Sequence, residues 1–160
     1  MICDVEVRGA GARGQGVFAL RRFTEGEFIF RRRYRQVVYN TELLALPAEA
    51  QRHLCELDFE RSAVLLAPGC YLNHSCEPNA IRHGVNVFAW GAIEPDEEIT
   101  IDYRLNAFDD DCTWICLCGA ASCTGVVVNS FFTMSPRRQR EYLPHAPSFI
   151  RREYAHRHRD

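Results

Sequence analysis

Apolar and polar residues alternate over short stretches through the first hundred positions, the period of half-buried strands rather than of helices. Cys3-Asp4-Val5-Glu6-Val7 reads as a first strand and Val17-Phe18-Ala19-Leu20 as a second. Between them, residues 9–16 hold four glycines in eight positions, a loop with little side-chain bulk and exposed backbone amides. Phe28-Ile29-Phe30, residues 34–39, residues 64–72 with a break at Pro68-Gly69, Val85-Asn86-Val87-Phe88-Ala89-Trp90 and Ile99-Thr100-Ile101-Asp102-Tyr103 continue the series. Helical signals are few. Thr41 reads as an N-cap for residues 42–46, and residues 47–57 add a helix carrying His53 and Cys55 as packing or surface residues. Ser135-Pro136 is an N-cap and N1 pair for a helix through Tyr142. Pro147-Ser148 opens a short last helix, and residues 156–160 are expected to fray. The pattern predicts a mainly β fold with short helices.

Composition narrows this. A chain of 160 residues, nearly half of them hydrophobic, suits one domain with its own core. Its longest apolar run falls short of the roughly 20 residues of a membrane span. Met1-Ile2-Cys3-Asp4 is no signal peptide, so the expected setting is intracellular, cytoplasmic or, in a eukaryote, nuclear. A net charge of −2 argues against a general polyanion binder, so nucleic acid is not expected as a direct ligand. The charge is unevenly placed. Arg31-Arg32-Arg33 and the tail after Ser135 are basic, whereas Glu94-Pro95-Asp96-Glu97-Glu98 and Asp109-Asp110-Asp111 are acidic. An acidic rim would steer a basic peptide. All nineteen basic residues are arginine.

Three segments carry candidate chemistry. Tyr71-Leu72-Asn73-His74-Ser75-Cys76-Glu77-Pro78-Asn79 packs an amide, an imidazole, a hydroxyl and a thiol into four successive residues. Glu97-Glu98-Ile99-Thr100-Ile101-Asp102-Tyr103 follows. Then Cys116-Leu117-Cys118-Gly119-Ala120-Ala121-Ser122-Cys123 clusters three of the eight cysteines. Without an export signal, such spacing reads as a metal site rather than a disulfide framework. Zinc in a closed structural site takes four ligands, so Cys116, Cys118 and Cys123 must recruit a fourth. Cys76 and Cys112 are the candidates: the first is framed by His74-Ser75 and Glu77-Pro78, the second is nearer in sequence on an acidic connection. Four thiolates leave no open position, which makes such an ion structural.

In this order the three segments resemble the SET domain of protein-lysine methyltransferases with its post-SET zinc segment. Arg13-Gly14-Gln15-Gly16-Val17-Phe18-Ala19 is similar to the opening glycine motif of that family, and the compact length resembles its bacterial members. The resemblance implies small curved β-sheets with a pseudoknot near Asn73-His74 and Asp102-Tyr103. It divides the chain into a SET domain at 1–111, a post-SET zinc segment at 112–126 and a C-terminal helical extension at 127–160. It also favours Cys76 as the fourth zinc ligand, beside Cys116, Cys118 and Cys123. It implies S-adenosylmethionine as methyl donor, held by Gln15, Gly16, Val17, Asn73, His74 and Tyr103, with Leu117 over the adenine. A protein or peptide lysine is the implied acceptor, entering from the opposite face, and Tyr103 is the implied catalytic tyrosine. With no lysine of its own, such an enzyme has no side-chain amine to modify in itself.

The chemistry fits these residue types. Displacement at a sulfonium methyl needs a neutral amine, and deprotonating a lysine of pKa near 10.4 at neutral pH costs roughly 4–5 kcal/mol. A dry channel beside a sulfonium charge lowers that cost, and the remaining work is alignment. Two departures from the family pattern matter. Asp96 stands where a glycine is usual, and Ile101 stands where Phe or Tyr usually limits the number of methyl groups, which points to di- or trimethylation. An aromatic that closes the channel in some relatives is missing after Cys123, with Trp114, Phe131 or Phe132 as substitutes. The competing expectation is a silent SET module that binds peptide or partner without turnover.

Overall fold

In a computed structural model, residues 4–108 and 112–159 are described; Cys3 of the expected first strand, and Asp109-Asp110-Asp111 of the acidic connection, lie outside them. Twelve short strands form three small sheets and a ribbon. Strand β1 (Val5–Gly9) pairs antiparallel with β2 (Gln15–Ala19) across the glycine loop, in the register Val5↔Ala19 to Gly9↔Gln15. Strands β3 (Phe28–Arg31), β4 (Tyr34–Tyr39), β5 (Leu54–Glu56) and β6 (Arg61–Leu65) follow. Then come β7 (Asn73–His74), β8 (Ala80–His83), β9 (Asn86–Ala89) and β10 (Glu98–Ile101). The sheets run β1-β2-β10-β7, β3-β9-β8 and β4-β6-β5, and β11 (Thr113–Ile115) pairs with β12 (Val126–Val128) as the ribbon.

Alternation along these strands explains the packing. Val17 and Ala19 of β2 and Ile99 of β10 turn inward with 0% exposure, against Val87 and Ala89 of the second sheet. Phe23 and Ile93, equally buried, exchange backbone hydrogen bonds of 2.9 and 3.0 Å and tie the two sheets together. A second core gathers Ile81, Leu105 and Phe131 with Tyr142, Phe149 and Ile150 from the C-terminal helices α2 (Pro136–Tyr142) and α3 (Ser148–Arg157). Ser135 caps α2 as expected, its hydroxyl accepting from the Arg138 amide. Helix α3 runs to Arg157 and includes His156, which was expected to fray. Its last turn is held by the Arg157 guanidinium, 2.7 Å from Glu153 and stacked on the Phe132 ring at 3.8 Å.

The expected helix over 47–57 is corrected. A single helical turn (Ala48–Gln51) is followed by β5, which pairs with β6 as Leu54↔Val64, Cys55↔Ala63 and Glu56↔Ser62. Edge pairing outweighs a weak helical propensity here and buries Cys55. Residues 40–45 form a 3-10 helix in which the Glu42 carboxylate accepts from the Tyr39 amide, so Thr41 is not the cap.

The acidic run at 94–98 is corrected as well, because its carboxylates are committed locally. Glu94 pairs with Arg22, Asp96 with Arg8, and Glu98 with Arg13, while Glu97 accepts from the Glu94 amide and from Asn79. No free acidic rim is left there to steer a basic peptide. Asp96 sits at φ 68°, in the left-handed region. A β-branched residue there costs about 1–2 kcal/mol, whereas glycine relieves the conformation but loses the Arg8 contact. Asp96→Val is therefore expected to lower the denaturant midpoint at constant slope, with Asp96→Gly close to the parent. Equal midpoints for all three proteins would mean that the turn relaxes freely.

Candidate active site and metal centre

The site is built where β7 and β10 run side by side in parallel, pairing Thr100↔Asn73 and Ile101↔His74. Asn79 fastens this junction: its amide nitrogen donates to Glu97 and to the Glu98 carbonyl, and its oxygen accepts from the Thr100 amide at 2.9 Å. His74 is buried against this seam. Its Nδ1 accepts from the Tyr103 amide at 3.2 Å, which puts the neutral ring's proton on Nε2. Burial holds the ring down to about 4, against the opposing pull of Asp102, so the ring is neutral at physiological pH. Asp102 is itself buried and neutralised by Arg104, with contacts of 2.9 and 2.7 Å.

Tyr103 opens the 3-10 helix after β10. Its hydroxyl donates to the Leu72 carbonyl at 2.6 Å. Burial, with Glu98 adding and Arg13 opposing, pushes the phenol up to about 12, so it stays protonated at neutral pH. Tyr103, Ile101 and Leu72 line a cavity of about 550 Å³ together with Leu54, Cys70 and Phe108.

Gln15, Gly16 and Val17 lie on β2, beside β10. Val17 turns its side chain into the core, so only its backbone is available to a ligand. Asn73 donates to the Gln15 carbonyl at 2.9 Å and to Glu98 at 2.7 Å, coupling the glycine motif to the Asn73-His74 segment. A Cβ at Gly16 would lie 2.5 Å from the Glu98 carboxylate, so a larger residue there has to displace that side chain. Leu117 is more than half exposed, between Cys116 and Cys118.

The sulfurs of Cys76, Cys116, Cys118 and Cys123 lie within 4.8 Å of one another. A tetrahedral ion at about 2.3 Å from each sulfur needs sulfurs roughly 3.8 Å apart, so the four fit a zinc ion with little adjustment. Backbone amides already face two of them: Cys76 donates to the Cys118 sulfur at 3.5 Å, and Gly125 to that of Cys123 at 3.4 Å. Burial, then the neighbouring sulfurs, push the Cys76 thiol far up, the signature of like groups that cannot all ionise without a cation among them. Cys112, the rival fourth ligand, is exposed and outside the group.

Two contributors escape sequence reasoning. Arg104 and Asn79 hold the seam through side-chain bonds that no spacing reveals. Trp114, one of three aromatics considered for closing the channel, stands edge-on to His74 at 5.5 Å and 6.0 Å from Tyr103. Phe131 is instead fully buried in the second core, and Phe132 packs against that core.

Comparison with known proteins agrees with this geometry. The SET domain family matches residues 14–104. A histone-lysine N-methyltransferase, H3 lysine-4 specific, of Emericella nidulans is 39% identical over 64 residues, covering 34% of this chain and 5% of that protein. Histone-lysine N-methyltransferase ATX2 of Arabidopsis thaliana is 29% identical over 142 residues, covering 74% of this chain and 12% of that protein. The chain thus spans a small part of the curated relatives it matches. The crystal structure of the methyltransferase domain of human histone-lysine N-methyltransferase SETMAR superposes with a TM-score of 0.58 at 23% identity, over 76% of this chain and 56% of that one, which shows the shared fold.

Proposed function

The chain belongs to the SET-domain family, and on that premise we propose that it transfers a methyl group from S-adenosylmethionine to the side-chain amine of a lysine in a protein substrate. The carrying observation is the placement of Tyr103: its hydroxyl is fixed on the Leu72 carbonyl, at the wall of a cavity and two residues past the seam that joins both motifs. Because that hydroxyl spends its proton on Leu72, its lone pairs are free to accept weak C–H···O contacts. Burial pushes the phenol up to about 12, so it is protonated at neutral pH, and positioning the methyl group does not require it to act as a base. S-adenosylmethionine, when bound, supplies the electrophilic methyl on a sulfonium. Gln15, Gly16 and Val17 would hold it by backbone, Asn73 and His74 by the amide and the backbone of β7, and Leu117 by apolar cover. Trp114 would shut the channel on the Tyr103 side and exclude water. Zinc would be structural, held by Cys76, Cys116, Cys118 and Cys123, and would fasten segment 112–126 beside the SET domain at 1–111, with 127–160 as the helical extension.

Transfer of labelled methyl from S-adenosylmethionine to lysine in a lysate of basic proteins tests the reading; acid-stable label on lysine is expected. Binding of peptide with no label on any lysine would identify a silent module instead. Ile101, 7% exposed on the cavity wall, sets the product in this scheme. Without a hydroxyl to hold a water near the amine, the pocket accepts an already methylated lysine. Mass spectrometry at long incubation should show di- or trimethyl product, and Ile101→Tyr should stop at monomethyl, at an overpacking cost of about 1–3 kcal/mol in stability. Monomethyl product alone from the parent protein would refute this role.

A further inference from the structure

In the same cavity, the sulfur of Cys55 accepts from Arg82 Nη1 at 3.0 Å, from Arg32 Nη1 at 3.3 Å and from Asn106 Nδ2 at 3.4 Å. All four residues are at least nine-tenths buried, yet Cys55, Arg32, Arg82 and Asn106 all border the cavity. We propose that Cys55 is a second reactive site of this protein, a thiolate held between two guanidinium groups that small hydroperoxides oxidise to a sulfenate.

Charge balance carries the first part. Neither Arg32 nor Arg82 forms a salt bridge among the described residues; the remaining bond of Arg32 goes to the Gly84 carbonyl. Two buried cations need a nearby anion, and the sulfur they share is the group in place to be one. The other groups around it do not substitute. Glu56, next on β5, accepts from the Phe108 amide with its carboxylate; its carbonyl accepts from Asn106 and lies 3.6 Å from the Cys55 sulfur, and Tyr34 adds only a weak favourable field at Arg82. Burial raises the Cys55 thiol, but Arg82 and Arg32 outweigh it and hold it below the ordinary range. Arg82 is lowered to about 10 by burial and stays charged at neutral pH.

The second part rests on what the arginines lack. Arg32 Nε and Arg82 Nη2 are buried without a partner. Buried donors seldom remain so, and an oxygen added to Cys55 introduces an acceptor into the same cluster. In the reaction, the sulfur lone pair attacks one peroxide oxygen, an S–O bond forms and the O–O bond breaks. Sulfur is oxidised by two electrons as the peroxide is reduced, and the departing alkoxide or hydroxide takes the sulfenic proton and leaves as alcohol or water, so a sulfenate remains between the guanidiniums. That this narrows the acceptor side of the cavity rests on the proposed function; the sulfur chemistry does not.

The test uses the full, zinc-loaded chain treated with hydrogen peroxide, quenched and mapped by peptide mass spectrometry. An oxygen adduct should appear on Cys55 roughly tenfold faster than on the exposed Cys112. Alkylation of Cys55 by iodoacetamide should be flat with pH across the neutral range, and Arg82→Met should restore a rise toward the ordinary thiol pKa of about 8.5. If that variant does not fold, the pH profile of the parent protein decides alone. Oxidation confined to Cys112 and Cys70, no labelling of Cys55, or Cys55 alkylation that climbs through about pH 8.5 in the parent would overturn the proposal. None of these readouts needs methyl transfer, so an inactive methyltransferase would leave the result standing.

Discussion

Tyr103→Phe is expected to lower methyl transfer by roughly two to three orders of magnitude, the usual cost of deleting one aimed polar group at a reacting centre. The substitution keeps the ring, which faces His74 at 5.4 Å and Trp114 at 6.0 Å, and removes only the hydroxyl bound to Leu72. Losing that bond should cost about 1 kcal/mol of stability. Donor affinity should change little, since Asn73 and the Gln15–Val17 backbone carry it in the proposed arrangement. Single-turnover methyl transfer and calorimetric titration with the donor separate the two effects. A variant that binds donor normally and transfers at the parental rate would remove Tyr103 from the reaction. A variant that no longer binds donor would make the tyrosine a binding residue.

Removal of the metal should have the second large effect, and it should be local. A structural zinc site is coupled to folding free energy on the order of 10 kcal/mol. The two apolar cores, however, are assembled without the sulfurs, around Val17, Phe23 and Ile99 in one and Phe131, Tyr142 and Phe149 in the other. The third cluster, Cys76, Cys116 and Val127 with Trp114 against them, is small, and in the proposed arrangement it would depend on the ion. Chelation, or Cys76→Ser, should therefore release about one zinc per chain, open segment 112–126 to protease and abolish methyl transfer, while far-ultraviolet circular dichroism stays near that of the parent. Cys112→Ser should keep its metal. Metal lost with Cys112→Ser and retained with Cys76→Ser would reverse the ligand assignment.

Much of the site was legible because its chemistry is concentrated in contiguous runs. Asn73-His74, Asp102-Tyr103 and the Cys116-Cys123 cluster each carry their residue types at fixed spacing, and alternation marked most strands. The helical reading of 47–57 failed because short apolar stretches such as Leu54-Cys55 are ambiguous until a partner strand is known, and β6 supplied it. The free acidic rim at 94–98 was misread for a related reason. Composition counts charges, but Arg8, Arg13 and Arg22 reach those carboxylates only after β1, β2 and β10 are laid side by side.

Local sequence therefore determined which elements form and which reactive groups the chain carries, since backbone periodicity and residue chemistry act over a few neighbours. Tertiary structure brings Cys76, which the family resemblance favoured, to the other three sulfurs, and it alone decided which aromatic stands beside Tyr103 and that Cys55 shares its sulfur with two arginines. Each of those pairings joins residues at least 11 positions apart along the chain, and only the closing of the sheets around their cores brings such groups together.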